Sequence, residues 1–115
     1  MKIGFDAKRL FHNFTGLGNY ARILVSSLLE SAPKNQFHLF TPKLRDSSLT
    51  RMFLKKPFIL HTAEKSPPSF WRSFLMAKEI RTNKLHIFHG LSHELPFGIE
   101  KTGAKSVVTI HDLIY

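Results

Sequence analysis

Short apolar runs alternate with longer apolar stripes along this chain, and turn residues separate them. Ile3 and Phe5 bracket Gly4 in a run that stops at Asp6, which predicts a short buried strand over residues 1–6. Leu17, Tyr20, Ala21, Leu24 and Leu28 then recur at i, i+3, i+4, i+7 and i+11, the period of a helix over residues 15–31 with one stripe turned to a sheet. Thr15 stands where an N-cap belongs. Ser31-Ala32-Pro33 supplies the stop, because proline disfavours helix at the residue before it. Phe37, Leu39 and Phe40 mark a second strand over 36–41, closed by Pro42. The basic segment 43–56 carries Leu49, Met52 and Phe53 at helical spacing and reads as a loop followed by a weak helix. Phe58 to His61 reads as a third strand. Pro67-Pro68 opens a helix over 69–82 with Phe70, Trp71, Phe74, Leu75 and Ile80, and Asn83-Lys84 breaks it. The last strands are predicted over 85–89 and 106–111, the second β-branched through Val107, Val108, Thr109 and Ile110 as a buried parallel strand would be.

Strands alternating with helices imply an α/β fold, a Rossmann-like parallel sheet flanked by helices and joined by right-handed crossovers. The C-terminal strand ends then share one rim, where open α/β sheets bind ligands. Three segments converge there: the loop DAKRLFHNFTGLGNY (residues 6–20) after the first strand, His89-Gly90 after the fourth, and His111-Asp112 after the fifth.

Composition narrows the choice of ligand. The 115 residues make one domain at most, and 43% apolar with 12% aromatic residues suffice for a single core. Seventeen Lys and Arg against eight Asp and Glu leave a formal charge of +9, which points to an anionic partner such as a phosphate ester, an anionic lipid or a nucleic acid. No cysteine is present, so disulfides, thiolate metal sites and cysteine nucleophiles are excluded. Lys2, Asp6, Lys8 and Arg9 interrupt any signal-like apolar stretch, and no run reaches the roughly 18 apolar residues of a membrane span. A soluble cytoplasmic protein is expected, either free or peripheral at the inner face of a membrane.

Gly16-Leu17-Gly18-Asn19-Tyr20-Ala21 matches G-x-G-x-x-G/A, in which glycines let backbone N–H groups and a helix start approach a diphosphate. Two features oppose a nicotinamide or flavin dinucleotide. Nine residues lie between Asp6 and Gly16, too many for the tight fingerprint turn, and Phe40-Thr41-Pro42 lacks the acid that would hold a ribose. The same glycines would equally serve a turn and a close helix–sheet contact. Lys8 and Arg9 offer charge-assisted hydrogen bonds to phosphate, or simply a solvated surface. His86, His89 and His93 lie close in sequence, but alternation sends His86 and His89 to opposite faces, so no metal site is assigned. His89-Gly90 reads instead as a strand end where glycine admits a ligand or backbone. His111-Asp112 has two readings of equal weight: groups that hold a sugar hydroxyl or phosphate, or a helix cap with a histidine in a polar pocket. The 69–82 helix, with its aromatic and basic residues, fits core packing better than a membrane interface.

In order and spacing, MKIGFDAKRL, TGLGNYARILVSSLL, FHGLSHELP and KSVVTIHDLIY resemble the start of the family 4 glycosyltransferases, sugar-nucleotide-dependent enzymes of the GT-B fold. The four segments carry the resemblance together. It implies a retaining transferase of two Rossmann-like domains, in which a sugar leaves a nucleoside diphosphate for an acceptor hydroxyl in the cleft between them, as in polysaccharide or glycolipid synthesis. Residues 1–115 would be the N-terminal, acceptor-side domain, itself cut short, and the C-terminal donor domain with its paired glutamates would have to come in cis or in trans. The nucleotide sugar would be a substrate; neither a metal nor another cofactor is implied. Gly16 and Gly18 would lie beside the donor diphosphate and the acceptor, with Lys8 or Arg9 stabilising the departing diphosphate. His111 and Asp112 would stand at the catalytic cleft floor, and His89-Gly90 near a sugar or lipid-linked acceptor. The chain alone is expected to be inactive. The alternatives are a basic nucleic-acid-binding module, disfavoured by scattered charge and the absence of a recognisable binding signature, and the dinucleotide-binding domain opposed above.

Overall fold

The computed structural model describes residues 1–63, 67, 71, 75–91, 95–96 and 98–109. Strands β1 (Lys2–Asp6), β2 (Gln36–Thr41), β3 (Phe58–Thr62), β4 (Ile87–Gly90) and β5 (Lys105–Val108) form a five-stranded sheet in the order β3-β2-β1-β4-β5. Every pairing is parallel, with Gly4 opposite His38 on one side and Phe88 on the other. Helices α1 (Lys8–His12) and α2 (Gly16–Ser31) cover one face, and α3 (Met76–Thr82) covers the other. The chain therefore winds outward from β1 through β2 to β3 and returns across the opposite face to β4. This is a Rossmann-like α/β fold, and its strand order reverses between β1 and β4.

Side-chain alternation divides the core. Phe5, Phe37, Leu39 and Phe58 face α1 and α2, where they meet Leu10, Phe11, Ala21 and Val25. Phe40 and Phe88 face the other way, onto Trp71, Met76 and Ile80. Burying such side chains contributes about 1.5–3 kcal/mol each. At Gly4 the second layer packs directly on the sheet. A Cβ there would lie 2.5 Å from Leu85 Cδ1 and 3.1 Å from Phe40 Cε1.

Several expectations require correction. The 6–20 segment is not one loop: Leu10 and Phe11 are buried against the sheet and fold the stretch around them into α1. Thr15 occupies the N-cap position of α2, yet its hydroxyl caps nothing. Asn13 Oδ1 is the acceptor, taking the N–H groups of Thr15 (3.0 Å) and Gly18 (2.9 Å) and the Thr15 hydroxyl (2.9 Å). The stripe of α2 is centred on Gly18, Ala21 and Val25, and Tyr20 is 36% exposed. The expected buried final strand is an exposed edge, with Val107 at 45% and Val108 at 36%. β-branching favours the pleated backbone wherever the strand lies and carries no information about cover. In the 43–56 segment a 3-10 turn, Arg51–Leu54, sits where the weak helix was expected. The beginning of the 69–82 helix, with Phe70 and Phe74, lies outside the described residues.

A polar chain crosses the second face. His38 of β2 and His61 of β3 approach to 2.9 Å between Nδ1 and Nε2, and His61 Nδ1 donates to Glu79 Oε2 of α3 at 2.6 Å. The Phe40 ring stacks on His61 at 4.3 Å, and the Gln36 side chain lies 3.3 Å from His38 Nε2. Burial, reinforced by the nearby charges of His61 and Lys2, pushes His38 from 6.5 down to about 4. The unfolded chain thus binds this proton more readily than the folded one between those values. Stability from His38 is full above pH 6.5 and is lost as pH falls towards 4. The urea midpoint of the wild type is expected to be lower at pH 5 than at pH 7, and His38→Gln to shrink that difference; equal wild-type midpoints would refute the assignment.

Candidate functional site

The C-terminal rim is built from the ends of β1 and β4 and the two helices that follow β1. Asp6 and Gly90 are register partners there, and both are buried, Asp6 with 5% exposure. The Ala7 N–H donates to Phe40 O at 2.7 Å, and the Lys8 N–H to Asp6 Oδ1 at 3.3 Å. These bonds turn the chain out of the sheet and start α1 across its edge.

The step from α1 to α2 is held by Arg22, a charged residue of the α2 stripe with only 6% exposure. Its Nη1 donates to Leu10 O (2.8 Å) and Asn13 O (2.7 Å), and its Nη2 to Asn19 Oδ1 (2.6 Å). The guanidinium lies 5.2 Å from the Phe14 ring centroid, and Arg45 lies 4.7 Å from the same ring. Burial lowers the Arg22 pKa from its usual value, and guanidinium is basic enough to remain charged. One planar guanidinium thus ties α1 and the residue that follows it to α2, which a lysine would not do as well.

The two glycines of the G-x-G pattern have different roles. A Cβ on Gly18 would sit 1.7 Å from Asn13 O and 2.9 Å from Arg9 O, both backbone atoms. Gly18 is therefore demanded by packing. Around Gly16, at the exposed start of α2, an added Cβ meets nothing within 4 Å. Open space and the positive end of a 16-residue helix coincide at that point.

Across the rim, His89 Nε2 and Thr109 Oγ1 are 2.7 Å apart, and the Tyr20 hydroxyl is 3.3 Å from the same Thr109 oxygen. Thr109 is tied to β4 by its N–H to Gly90 O at 2.8 Å. The His89 ring packs against Phe5 at 5.9 Å, and burial holds its pKa below the usual value, which favours the neutral imidazole. A chain of hydrogen-bonding groups thus links β4, the end of β5 and the first turns of α2.

Of the residues expected at the site, Gly16, Gly18, His89 and Gly90 share this rim. Lys8 and Arg9 are exposed and belong to α1 rather than to a loop. Lys8 lines a cavity of about 280 Å³ with His12, Pro42 and Lys43, on the β2 side of the rim. His111 and Asp112 lie outside the described residues. His86, one of the clustered histidines, precedes β4, and its Nδ1 accepts the Lys2 N–H at 2.9 Å. Among the described residues no group of His, Asp and Glu is arranged to hold a metal ion, and no helix is long and apolar enough to cross a membrane.

Sequence reasoning put residues 6–20 at the rim without giving Asn13 or Tyr20 a role there, and it missed Arg22 and Thr109 as rim residues. Arg22 carried a signal, a cation four residues after Gly18 on the buried side of the helix, but the other three depend on approaches between distant elements. It also missed a larger cavity of about 680 Å³ beside β3 and α3, lined by His61, Thr62, Trp71, Lys78 and Glu79 among others. The buried Trp71 indole N–H has no hydrogen-bond partner among the described residues.

Fold and rim together define the class: a Rossmann-like α/β domain with hydrogen-bonding groups at the strand C-termini. No family model matches the chain, and no curated protein or solved structure matches it significantly.

The glycine geometry separates folding from binding. Gly18→Ala is expected to lower stability by about 3 kcal/mol or more, because the obstructing atoms are backbone. Gly16→Ala should stay within about 0.5 kcal/mol of wild type. Urea unfolding of both variants checks this, and equal stabilities would show that the close approach is not required.

Proposed function

We propose that this chain is the acceptor-side Rossmann-like domain of a retaining, nucleotide-sugar-dependent glycosyltransferase of the GT-B type. The observation that carries the reading is the meeting, at the β1/β4 reversal, of the open helix start at Gly16 with the His89–Thr109–Tyr20 chain. The four sequence segments that resemble family 4 glycosyltransferases support it.

Sugar transfer with retention separates charge: the ring becomes cationic and the departing diphosphate anionic. A helix N-terminus stabilises the anion through its oriented peptide dipoles without reorganising as the bond breaks. α2 offers such an end, with no side chain at Gly16 to keep a ligand away. Neutral His89 adds a ring fixed by Thr109 and Phe5, suited to positioning hydroxyl groups rather than supplying charge. The acceptor is a sugar or a lipid-linked sugar, and in the latter case the basic chain works at an anionic membrane surface.

One sheet supplies one wall of the cleft, and transfer needs the donor held from the other side. The 115-residue polypeptide alone is therefore expected to show no sugar transfer. It should still bind nucleoside diphosphate sugars weakly. Backbone NMR titration with uridine and guanosine diphosphate sugars is expected to move resonances of Gly16, Tyr20 and His89, and Gly16→Ala to weaken that response. A titration that leaves these residues still, while oligonucleotides bind with steep salt dependence, would overturn the reading in favour of a nucleic-acid-binding module.

A further inference from the structure

Lys8 and His12 occupy the first and last positions of α1, four residues apart and so on one face of the helix. That face meets the segment after β2, where Pro42 and Lys43 complete the cavity of about 280 Å³. His12 Nε2 donates to Lys43 O at 2.8 Å, which fixes the ring across the cavity and places the proton of the neutral form on Nε2.

No carboxylate lines this cavity. Neither Lys8 nor Lys43 forms an ion pair among the described residues; the acid at Asp46 is joined to Arg51 at 3.1 Å, and Glu79 to His61 on the other face. Asp6 is buried, and its Oδ1 faces the Lys8 backbone N–H. Cationic side chains converging on a concavity without acids produce a local positive potential that an anion relieves. At about 280 Å³ the concavity lies at the low end of ligand-pocket volumes, about 300 to 1,000 Å³, and has room for a phosphate head with a small group attached.

We propose that Lys8, His12 and Lys43 form a subsite for a phosphate monoester, separate from the rim at Gly16 and His89. Ammonium groups of Lys8 and Lys43 would contact phosphate oxygens through charge-assisted hydrogen bonds, with His12 closing the third side. The existence of this subsite is independent of the transferase reading. Assigning the phosphate to the acceptor rests on that reading: the cavity opens over the β1/β2 ends, beside the β1/β4 reversal where the sugar would be transferred. The acceptor class so defined is phosphorylated, either a soluble sugar phosphate or a lipid with a phosphate headgroup.

The test is titration of the full chain with glycerol 3-phosphate, followed by backbone NMR, and flotation with phosphatidylcholine vesicles with and without phosphatidic acid. Saturable shifts at Lys8, His12 and Lys43, with affinity reduced about 10-fold by Lys8→Met or Lys43→Met and unchanged by Lys34→Met or Lys105→Met, support the subsite and a soluble ester. Binding confined to phosphatidic acid vesicles, with the same dependence on variants, supports it with a lipid headgroup as the source. Binding to neither probe overturns the proposal. So does an equal loss in all four variants, which would mean diffuse charge attraction. Nucleotide-sugar shifts at Gly16 and His89 are read separately, so failure of the transferase reading would not be mistaken for failure of the subsite.

Discussion

The first turn of α2 lies so close to the backbone at Asn13 that position 18 has no room for a side chain. This approach organises the whole C-terminal rim. It brings the Asn13 carboxamide over the helix start, where it accepts the N–H groups that the helix itself leaves unpaired. It also brings the Leu10 and Asn13 carbonyls within reach of the Arg22 fork. Glycine, asparagine and arginine act as one unit, and each is explained by the position of the other two.

That unit joins α1 to the start of α2 and stands between two chemistries. On the β4 side the rim is hydrogen-bonding, with a half-buried imidazole, a threonine and a tyrosine. On the β2 side it is cationic, with lysines and a histidine around a small cavity. A ligand spanning both would present hydroxyl groups to one and negative charge to the other. The scattered basic residues of the sequence thus acquire a local direction that net charge alone does not express.

The opposite face has a different logic. Apolar packing of Phe40, Phe88 and Trp71 is interrupted by the His38–His61–Glu79 chain, which joins β2, β3 and α3 through side chains. Imidazoles buried this way are held in place by mutual hydrogen bonds, and their desolvation makes protonation of His38 unfavourable. The same arrangement that ties α3 to the sheet makes this side of the molecule sensitive to acid.

The sequence by itself determined the parallel α/β sheet, because apolar periodicity and proline or glycine punctuation are local: Ile3-Gly4-Phe5, Phe37 to Phe40 and the α2 stripe each report their element without help from a distant residue. It also pointed to the rim through Gly16, Gly18 and His89. What it did not determine depends on contacts between segments far apart in the chain. Leu10 and Phe11 fold a supposed loop into α1 only because the sheet buries them, and Asn13 displaces Thr15 as the cap because α2 docks against it. Val107 and Val108 have the composition of a covered strand and lie exposed, since position at the sheet edge is a property of strand order. The pairing of Lys8 with Lys43 and of His38 with His61 likewise waited on topology, which places β2 between β1 and β3 and so decides which side chains share a cavity.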